Sequence, residues 1–215
     1  MPRIQRLPSS LTLPCVLLTG FDAFGGALVN ASWLAVEQLD GQCVAGHRIV
    51  TAQLPTVFDE SQKVLADLMR RHLPTLVIVV GQAGGRRALS LELLAININD
   101  AHAPDNAGRQ PIDMPIVLNG PAAYFSGLPV RAMLQALQQS GIAAELSDTA
   151  GTFVCNHVFY GLMHALARQR RVPLTRGGFI HLPYLPEQGA PCMLLDEMVR
   201  GLRLAVDCAL TTPHG

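Results

Sequence analysis

Thr75–Val80 reads TLVIVV, an unbroken apolar run of strand length between Pro74 and Gly81. Such a run is typical of a central strand that helices cover on both faces. Upstream, Val16–Thr19 and Ile49–Leu54 predict two more strands, each followed by apolar residues at helical spacing. Strands that alternate with helices predict an α/β protein, a three-layer α/β/α sandwich around a mainly parallel, twisted central sheet.

The alternation continues through the second half of the chain. Helical spacing over Val130–Leu137 is followed by a short strand at Ala144–Ser147, a helix from Phe153 and a strand at Gly177–Leu182. A last amphipathic helix follows. The region 81–121 is instead dense in Gly, Pro, Asn and Asp, which indicates a functional excursion from the sandwich.

Length and composition limit the classes of protein to consider. The chain has 215 residues, so we predict a single α/β/α domain over residues 15–215, preceded by a flexible extension over residues 1–14. No run approaches the roughly 18 apolar residues of a membrane span. Sixteen basic and sixteen acidic residues leave no net field to hold nucleic acid. Charged residues make up 15% and hydrophobic residues 49%, and this surplus of apolar surface predicts a homo-oligomer.

The five cysteines are widely spaced and form no C-x-x-C pair. This pattern argues against a disulfide framework and a structural zinc site, and it predicts a cytoplasmic protein. The glycine-rich stretches GFDAFGG at 20–26 and GQAGGR at 81–86 lack the spacing of a nucleotide-binding loop. We therefore predict neither a metal nor a cofactor.

Cys155 stands where a glycine-containing turn leads into the predicted helix, in the stretch AGTFVCNH at 150–157. Free backbone N–H groups and the positive end of the helix favour a thiolate nucleophile at such a position. The alternative is a buried cysteine with a packing role, the interpretation that we give to Cys15 and Cys208.

A nucleophilic thiol needs an imidazole as its acid and base. His181 is the best placed, because the ligand crevice of an open α/β sheet lies beyond the carboxyl ends of its strands. His157 and His164 are expected to be structural. Glu92, a lone acid amid leucines, needs a partner and is the best candidate to orient the imidazole. Turn formation accounts for the other acids considered for this role: Asp100, Asp105 and Asp113.

Phe21 and Phe24 lie just beyond the first predicted strand, beside the expected crevice. Two aromatic side chains in this place favour an apolar, uncharged ring as the ligand. Core packing is the alternative explanation for both.

Seven ordered motifs between Val16 and about Gln188 can be compared with known families: LLTGFDAFGG at 17–26, LPTVF at 54–58, VGQAGGR at 80–86, APDNAGRQPID at 103–113, GPAAYFSGLP at 120–129, TAGTFVCNHVFYGLMH at 149–164 and GGFIHLPYLPEQ at 177–188. Together they resemble the pyrrolidone-carboxylate peptidases, also called pyroglutamyl peptidases type I, a family of cysteine peptidases. The implied activity is hydrolysis of the bond after an N-terminal pyroglutamyl (5-oxoprolyl) residue of a peptide, through a thioester intermediate.

The resemblance also implies the roles of individual residues. It makes Cys155 the nucleophile, His181 the general acid and base, and Glu92 the residue that orients the imidazole. It further implies a pocket for the lactam ring, formed by the side chains or backbone of these residues: Phe21, Phe24, Gln82, Phe153 and Val154. The implied partners are peptides with an N-terminal pyroglutamate, and the implied assembly is a dimer or tetramer.

Two positions depart from the family pattern. Leu93 and His102 stand where many relatives carry arginines, so we expect electrostatic support from His102 only when its ring is protonated. A metal-dependent hydrolase is disfavoured, because Cys155 and His157 do not share a helix face. The remaining alternative is a non-catalytic or weakly active homologue that keeps the fold and the lactam pocket.

Overall fold

The computed structural model describes residues 13–170 and 174–213. Most of the predicted extension, residues 1–12, therefore lies outside the described residues. The strands are as follows: β1 (Cys15–Phe21), β2 (Cys43–Val44), β3 (His47–Leu54), β4 (Leu76–Gln82), β5 (Leu89–Glu92), β6 (Leu94–Ile96), β7 (Ala123–Phe125), β8 (Ala144–Ser147) and β9 (Arg176–Leu182). The helices are as follows: α1 (Ala31–Glu37), α2 (Glu60–His72), α3 (Val130–Gln139), α4 (Val154–Ala167) and α5 (Leu195–Thr211).

Seven strands form one sheet in the order β2-β3-β1-β4-β9-β5-β8. The four neighbours β3, β1, β4 and β9 run parallel. β5 runs antiparallel to β9, and β8 runs parallel to β5. The prediction of a mainly parallel sheet is confirmed, and the antiparallel insertion of β5 is a feature that the sequence patterns did not indicate.

Helices cover both faces of this sheet. α1, α3 and α5 pack on one face, where they bury side chains such as Val16 and Ile78. α2 and α4 pack on the other face, over Leu17, Val77 and Phe179. β4 is buried along its whole length, as the run Thr75–Val80 predicts, and each such side chain contributes about 1.5–3 kcal/mol when fully buried. The three-layer α/β/α sandwich is therefore confirmed.

The excursion over residues 81–121 is held to the sandwich by buried polar side chains. The amide of Asn156 in α4 bonds the backbone of Ile96 and Ile98 at 2.9–3.0 Å. The carboxylate of Asp105 accepts hydrogen bonds from the backbone N–H groups of Phe58, at 2.9 Å, and Arg109, at 2.8 Å. Asp105 thus has the structural role that turn formation predicts. No helix in the described part of the chain has the length and apolar character needed to cross a bilayer.

His157 is a buried structural histidine, as predicted, and is 2% exposed. Its Nε2 accepts a hydrogen bond from the backbone N–H of Asp59 at 3.1 Å, and its Nδ1 lies 3.0 Å from Oδ1 of Asn99. These partners require the neutral tautomer with hydrogen on Nδ1. Burial lowers the pKa of His157 to about 4, and the Asp59 charge offsets only part of this effect.

We expect the protein to lose stability on mild acidification because of His157. In the unfolded chain the imidazole takes up a proton near pH 6.5, whereas the folded ring resists protonation down to about pH 4. The contribution is therefore fully present above pH 6.5 and is lost as the pH falls. Between pH 7 and pH 5 the free energy of unfolding should drop by about 2 kcal/mol from this group.

Urea unfolding of the wild type and of His157→Gln at both pH values measures this drop. The variant should be less stable at pH 7 and should lose less stability on going to pH 5. Other titrating groups, His181 among them, remain in both proteins and cancel in the comparison. Equal losses in the two proteins would contradict the assignment.

Candidate active site

The three residues predicted to carry chemistry meet at one end of the sheet. Cys155 is in the first turn of α4, His181 lies near the end of β9 and Glu92 is the last residue of β5. The parallel register places Gly81 directly beside His181. The crevice predicted beyond the carboxyl ends of the strands is therefore where the thiol and the imidazole lie.

Gly81 provides the space in which these two groups stand side by side. A Cβ atom added to Gly81 would lie 3.0 Å from Sγ of Cys155 and 3.0 Å from Cδ2 of His181. The two atoms are thus separated by at most twice that distance. The same Cβ would lie 2.8 Å from Cζ of Phe179, so no side chain fits here without displacing the site.

We expect Gly81→Ala to reduce the kcat of the expected peptidase reaction by about 100-fold. The new methyl group pushes the thiol and the imidazole apart by a fraction of an ångström or more. Gly177→Ala is the matched control. The added Cβ would lie 2.9 Å from Cδ1 of Leu166. It is on the face of β9 that also carries His181, but away from Cys155. The control should lose stability yet keep its kcat per folded molecule. Equal kcat losses in both variants would show that crowding alone is responsible.

A direct hydrogen bond joins Glu92 to the imidazole of His181. In the antiparallel pair of β5 and β9, Ser90 lies opposite His181, so Glu92 follows two residues later on the same sheet face. His181 Nδ1 lies 2.7 Å from Oε1 of Glu92, which is fully buried. With hydrogen on Nδ1, the neutral ring carries its lone pair on Nε2, next to the Cδ2 atom that faces Gly81.

Arg86 is a site residue that the sequence analysis missed. Its Nη1 donates to Oε1 of Glu92 at 2.8 Å, and its Nη2 donates to the carbonyl of Thr149 at 3.3 Å. It therefore connects the buried carboxylate to the loop that leads into α4. Oε2 of Glu92 has no hydrogen-bond partner among the described residues. The sequence did indicate a partner of this kind, because a lone acid amid leucines requires a nearby cation.

Burial shifts the pKa values of both Cys155 and His181. It raises the pKa of the Cys155 thiol to about 12, with the Glu92 charge acting in the same direction and Arg86 in the opposite one. This shift is opposite in direction to the one expected from the helix N-terminus. Burial also lowers the pKa of His181, against the pull of Glu92. Both shifts favour a neutral thiol and a neutral imidazole over a thiolate and an imidazolium.

Alkylation by iodoacetamide tests this resting state. At pH 7 a thiol with a pKa near 12 carries almost no thiolate, and the thiolate is the reactive form. We expect Cys155 to react at least tenfold more slowly than the exposed Cys43, as followed by mass spectrometry of digested protein. Faster reaction at Cys155 than at Cys43 would show that the pair rests as a thiolate and an imidazolium.

Aromatic rings line the crevice beside Cys155. Phe153, which precedes α4, lies 6.0 Å from Phe24 and 5.4 Å from Phe58 between ring centroids. His102 is exposed, and its ring centroid lies 5.6 Å from that of Phe153. Phe58 is a second residue that the sequence analysis missed, although it closes the LPTVF motif. We call Phe24 and Phe153, with the buried Phe58 packed behind Phe153, the aromatic cage.

The remaining predicted pocket residues lie behind this cage. The side chains of Phe21 and Val154 are buried in the core on the α4 face of the sheet. Gln82 follows Gly81 and points to the opposite face, where its Oε1 accepts a hydrogen bond from Ala31 N at 2.7 Å. Phe21 thus takes part in core packing, and its contact with a ligand stays a prediction.

The other histidine and cysteine candidates lie outside the crevice. His164 bonds the hydroxyl of Tyr124 through Nδ1 at 2.8 Å. Cys15 Sγ donates to the carbonyl of His72, and Cys208 packs on the α5 side of the core. Across residues 13–170 and 174–213, histidine, cysteine and carboxylate side chains form no group of three that is placed to hold a metal ion.

A family model described as pyroglutamyl peptidase matches residues 15–212, nearly the whole chain. The chain belongs to the pyroglutamyl peptidase family. Among family relatives, pyrrolidone-carboxylate peptidase 1 of Ralstonia nicotianae is 56% identical over 203 residues, which cover 92% of this chain and 94% of that protein. The pyrrolidone-carboxylate peptidase of Escherichia fergusonii is 51% identical and covers 91% of this chain and 92% of that protein.

Solved structures of the family agree with the fold. Pyroglutamyl peptidase I of Bacillus amyloliquefaciens superposes with a TM-score of 0.89 at 48% identity, covering 93% of this chain and 98% of that one. A mutant pyrrolidone carboxyl peptidase of the hyperthermophile Pyrococcus furiosus gives a TM-score of 0.86 at 36% identity, covering 91% and 97%. The resemblance found in the sequence motifs is confirmed.

Proposed function

We propose that this protein is a cysteine peptidase that hydrolyses the bond after an N-terminal pyroglutamyl residue of a peptide. The observation that carries the proposal is the joint placement of Cys155, His181 and Glu92 around Gly81, in a member of the pyroglutamyl peptidase family. A thiol close to an imidazole that is hydrogen-bonded to a carboxylate provides the groups that acyl transfer requires.

The aromatic cage is the proposed site for the lactam. Pyroglutamate is neutral and lacks the free α-amine of an ordinary peptide N-terminus, so a carboxylate is not needed to bind it. Phe24 and Phe153, with centroids 6.0 Å apart, offer ring faces and edges to a flat five-membered ring. Phe153 lies two residues before Cys155. A lactam ring held against Phe153 therefore presents the acyl carbonyl attached to that ring to the thiol.

The first chemical step is proton transfer coupled to attack. Because the thiol is neutral at rest, Nε2 of His181 removes its proton as the Cys155 sulfur bonds to the pyroglutamyl carbonyl carbon. The carbonyl π electrons move to oxygen and give an oxyanion. α4 begins at Val154 without a side-chain cap, so N–H groups of its first turn are free to donate to that oxyanion.

The second step releases the peptide. Protonated His181 gives its proton to the nitrogen of the leaving amine as the carbon–nitrogen bond breaks, which leaves a thioester on Cys155. Water then attacks the thioester carbon while His181 takes one of its protons. The intermediate collapses to pyroglutamate and the thiol regains its proton.

Glu92 supports the positive charge that appears on His181 during both steps, and Arg86 acts only through Glu92. The Glu92 carboxylate stabilises the imidazolium through the 2.7 Å hydrogen bond. Arg86 favours the ionised form of this fully buried carboxylate through a 2.8 Å ion pair. Protonated His102, against Phe153, is proposed to add electrostatic support from the cage side at low pH.

We further propose that the protein is cytoplasmic and forms a homo-oligomer, a dimer or a tetramer. Its cysteines are all free of disulfides, which fits a reducing compartment. Large apolar side chains of the excursion and of β7 are exposed and suit burial against another copy. They are the following: Ile112, Met114, Leu118 and Phe125.

Release of aminomethylcoumarin from its pyroglutamyl amide tests the proposed function. Purified protein in a thiol reductant and EDTA should release the fluorophore, and it should not cleave the prolyl amide, which lacks the lactam carbonyl. Folded protein that releases no fluorophore would overturn the proposal and favour the non-catalytic homologue that keeps the fold and pocket. Release that EDTA abolishes would instead indicate a metal-dependent hydrolase.

A further inference from the structure

The loop after β1 carries Phe24, one wall of the aromatic cage. Phe24 is half-buried, and Gly25 and Gly26, which follow it, form an exposed turn at φ angles of 62° and 82°. Glycine adopts such angles without steric cost, and it leaves the backbone more conformational freedom than any other residue. The position of Phe24 therefore depends on what holds the residues before it.

Asn106 of the excursion holds these residues from 83 positions away along the chain. Its Nδ2 donates to the carbonyl of Ala23 at 2.9 Å and lies 3.3 Å from Oδ1 of Asp22, to which it also donates. Both acceptors belong to the two residues directly before Phe24. The amide of Asn106 thus fixes the backbone at the point where Phe24 begins.

The loop after β3 keeps Asn106 in place for this contact. The backbone N–H of Asn106 donates to the carbonyl of Thr56 at 3.1 Å. Thr56 in turn donates to Asp22, from its backbone N–H to Oδ1 at 2.7 Å and from Oγ1 to the carbonyl at 3.2 Å. Three segments that are distant in the sequence are therefore tied together at one point. A contact organised in this way before a ligand arrives costs less entropy on binding.

The neighbour of Asn106 supports the other side of the cage. Asp105 is buried and accepts a hydrogen bond from the backbone N–H of Phe58 at 2.9 Å. Phe58 packs behind Phe153, with ring centroids 5.4 Å apart. Two consecutive residues of the excursion thus hold the backbone before Phe24 and the backbone of the ring behind Phe153. The relative placement of the two cage walls therefore depends on this short segment.

We propose that Asn106 is a positioning residue of the lactam site, which acts by holding the backbone before Phe24 so that the two cage walls fit the lactam. The inference deepens the proposed function and rests on it for the identity of the ligand. The hydrogen bonds described for Asn106 go to Asp22, Ala23 and Thr56. Its effect therefore falls on lactam binding and not on acyl transfer.

Asn106→Ala tests the proposal through the separation of KM from kcat. For the pyroglutamyl coumarin amide we expect KM to rise about fivefold and kcat to stay within about twofold of the wild type. The Kd of free pyroglutamate, measured by titration calorimetry, should rise by a similar factor. Asn106→Asp has nearly the same size, but its carboxylate cannot donate and stands next to Asp22, so its KM should rise at least as much.

Asn97→Ala is the matched control. Asn97 Nδ2 donates to the carbonyls of Val117 at 2.9 Å and Gly120 at 3.3 Å, the same two distances as for Asn106, but both bonds stay within the segment 97–120. The control should lose stability and keep the wild-type KM. An equal rise of KM in both variants would show that a loosened excursion is responsible, and it would overturn the proposal.

A double-mutant cycle with Phe24→Ala tests whether Asn106 acts through Phe24. Phe24→Ala removes a cage wall and should raise KM. Adding Asn106→Ala to that variant should raise KM by less than about 1.5-fold more, because the side chain to be positioned is already absent. The full fivefold rise in the Phe24→Ala background would overturn the proposal.

The outcomes separate this proposal from the proposed function. Unchanged KM and Kd in Asn106→Ala would overturn the role of Asn106 and leave the proposed function intact. If folded wild-type protein cleaves no pyroglutamyl amide, the proposed function fails, and the pyroglutamate titrations then decide the role of Asn106. Equal Kd values, or no binding by the wild type, would overturn that role as well.

Discussion

Cys155→Ser is expected to lower kcat/KM for the pyroglutamyl coumarin amide by roughly four orders of magnitude or more. A serine hydroxyl is a far weaker nucleophile than a thiol when His181, whose pKa burial lowers, must remove its proton. The substituted side chain is smaller and sits in the same first turn of α4, so the fold and the cage should be unaffected. KM should change little, because Cys155 contributes chemistry rather than binding.

The controls for this prediction are the cysteines outside the crevice. Cys192→Ala and Cys43→Ala change exposed thiols and should retain wild-type kcat. Mass spectrometry of enzyme quenched during turnover should find a pyroglutamyl adduct on Cys155 and on no other cysteine. Activity in Cys155→Ser within tenfold of the wild type would exclude Cys155 as the nucleophile.

Glu92→Gln is expected to reduce kcat by about 1,000- to 10,000-fold. The amide removes the charge that stabilises the imidazolium and presents a donor group that competes for the orientation of His181. It also leaves Arg86 without the carboxylate that it pairs with, so the free energy of unfolding should fall by about 3 kcal/mol. KM should stay near the wild-type value, since the aromatic cage is untouched.

Glu145→Gln is the matched control for this variant. Glu145 lies on β8, the strand next to β5, and accepts a hydrogen bond from Ser90 at 2.7 Å. Its substitution removes a carboxylate from the same part of the sheet without touching His181, and kcat should be unchanged. A Glu92→Gln enzyme that keeps more than a tenth of wild-type kcat would show that another group orients the imidazole.

Local patterns were sufficient to predict the layers of the fold and to propose the residues of the site. The run Thr75–Val80 predicts a buried strand because every side chain after Thr75 is apolar and strand length is a local property. Cys155 could be singled out in the same way, because neighbouring residues indicate the turn and the helix around it. The assignment of His181 and Glu92 needed only the end of a strand and an acid out of place among leucines.

The remaining features depend on contacts between distant parts of the chain. The pKa of Cys155 is raised because helices and strands enclose it, and no neighbouring residue in the sequence reports that enclosure. Arg86 and Phe58 enter the site only through tertiary packing. The side of the sheet that Gln82 faces was nevertheless predictable, because alternation along β4 separates it from Gly81.

The antiparallel pairing of β5 with β9 has a consequence for how the enzyme acquires its activity. The carboxylate and the imidazole that it joins are separated by 89 positions in the chain, and contacts of such long sequence separation form slowly during folding. The helices, which contribute most of the far-ultraviolet circular dichroism signal, form through local contacts, whereas the proposed acid–base chemistry depends on this distant one. Recovery of peptidase activity after dilution from denaturant is therefore expected to lag behind recovery of the far-ultraviolet circular dichroism signal.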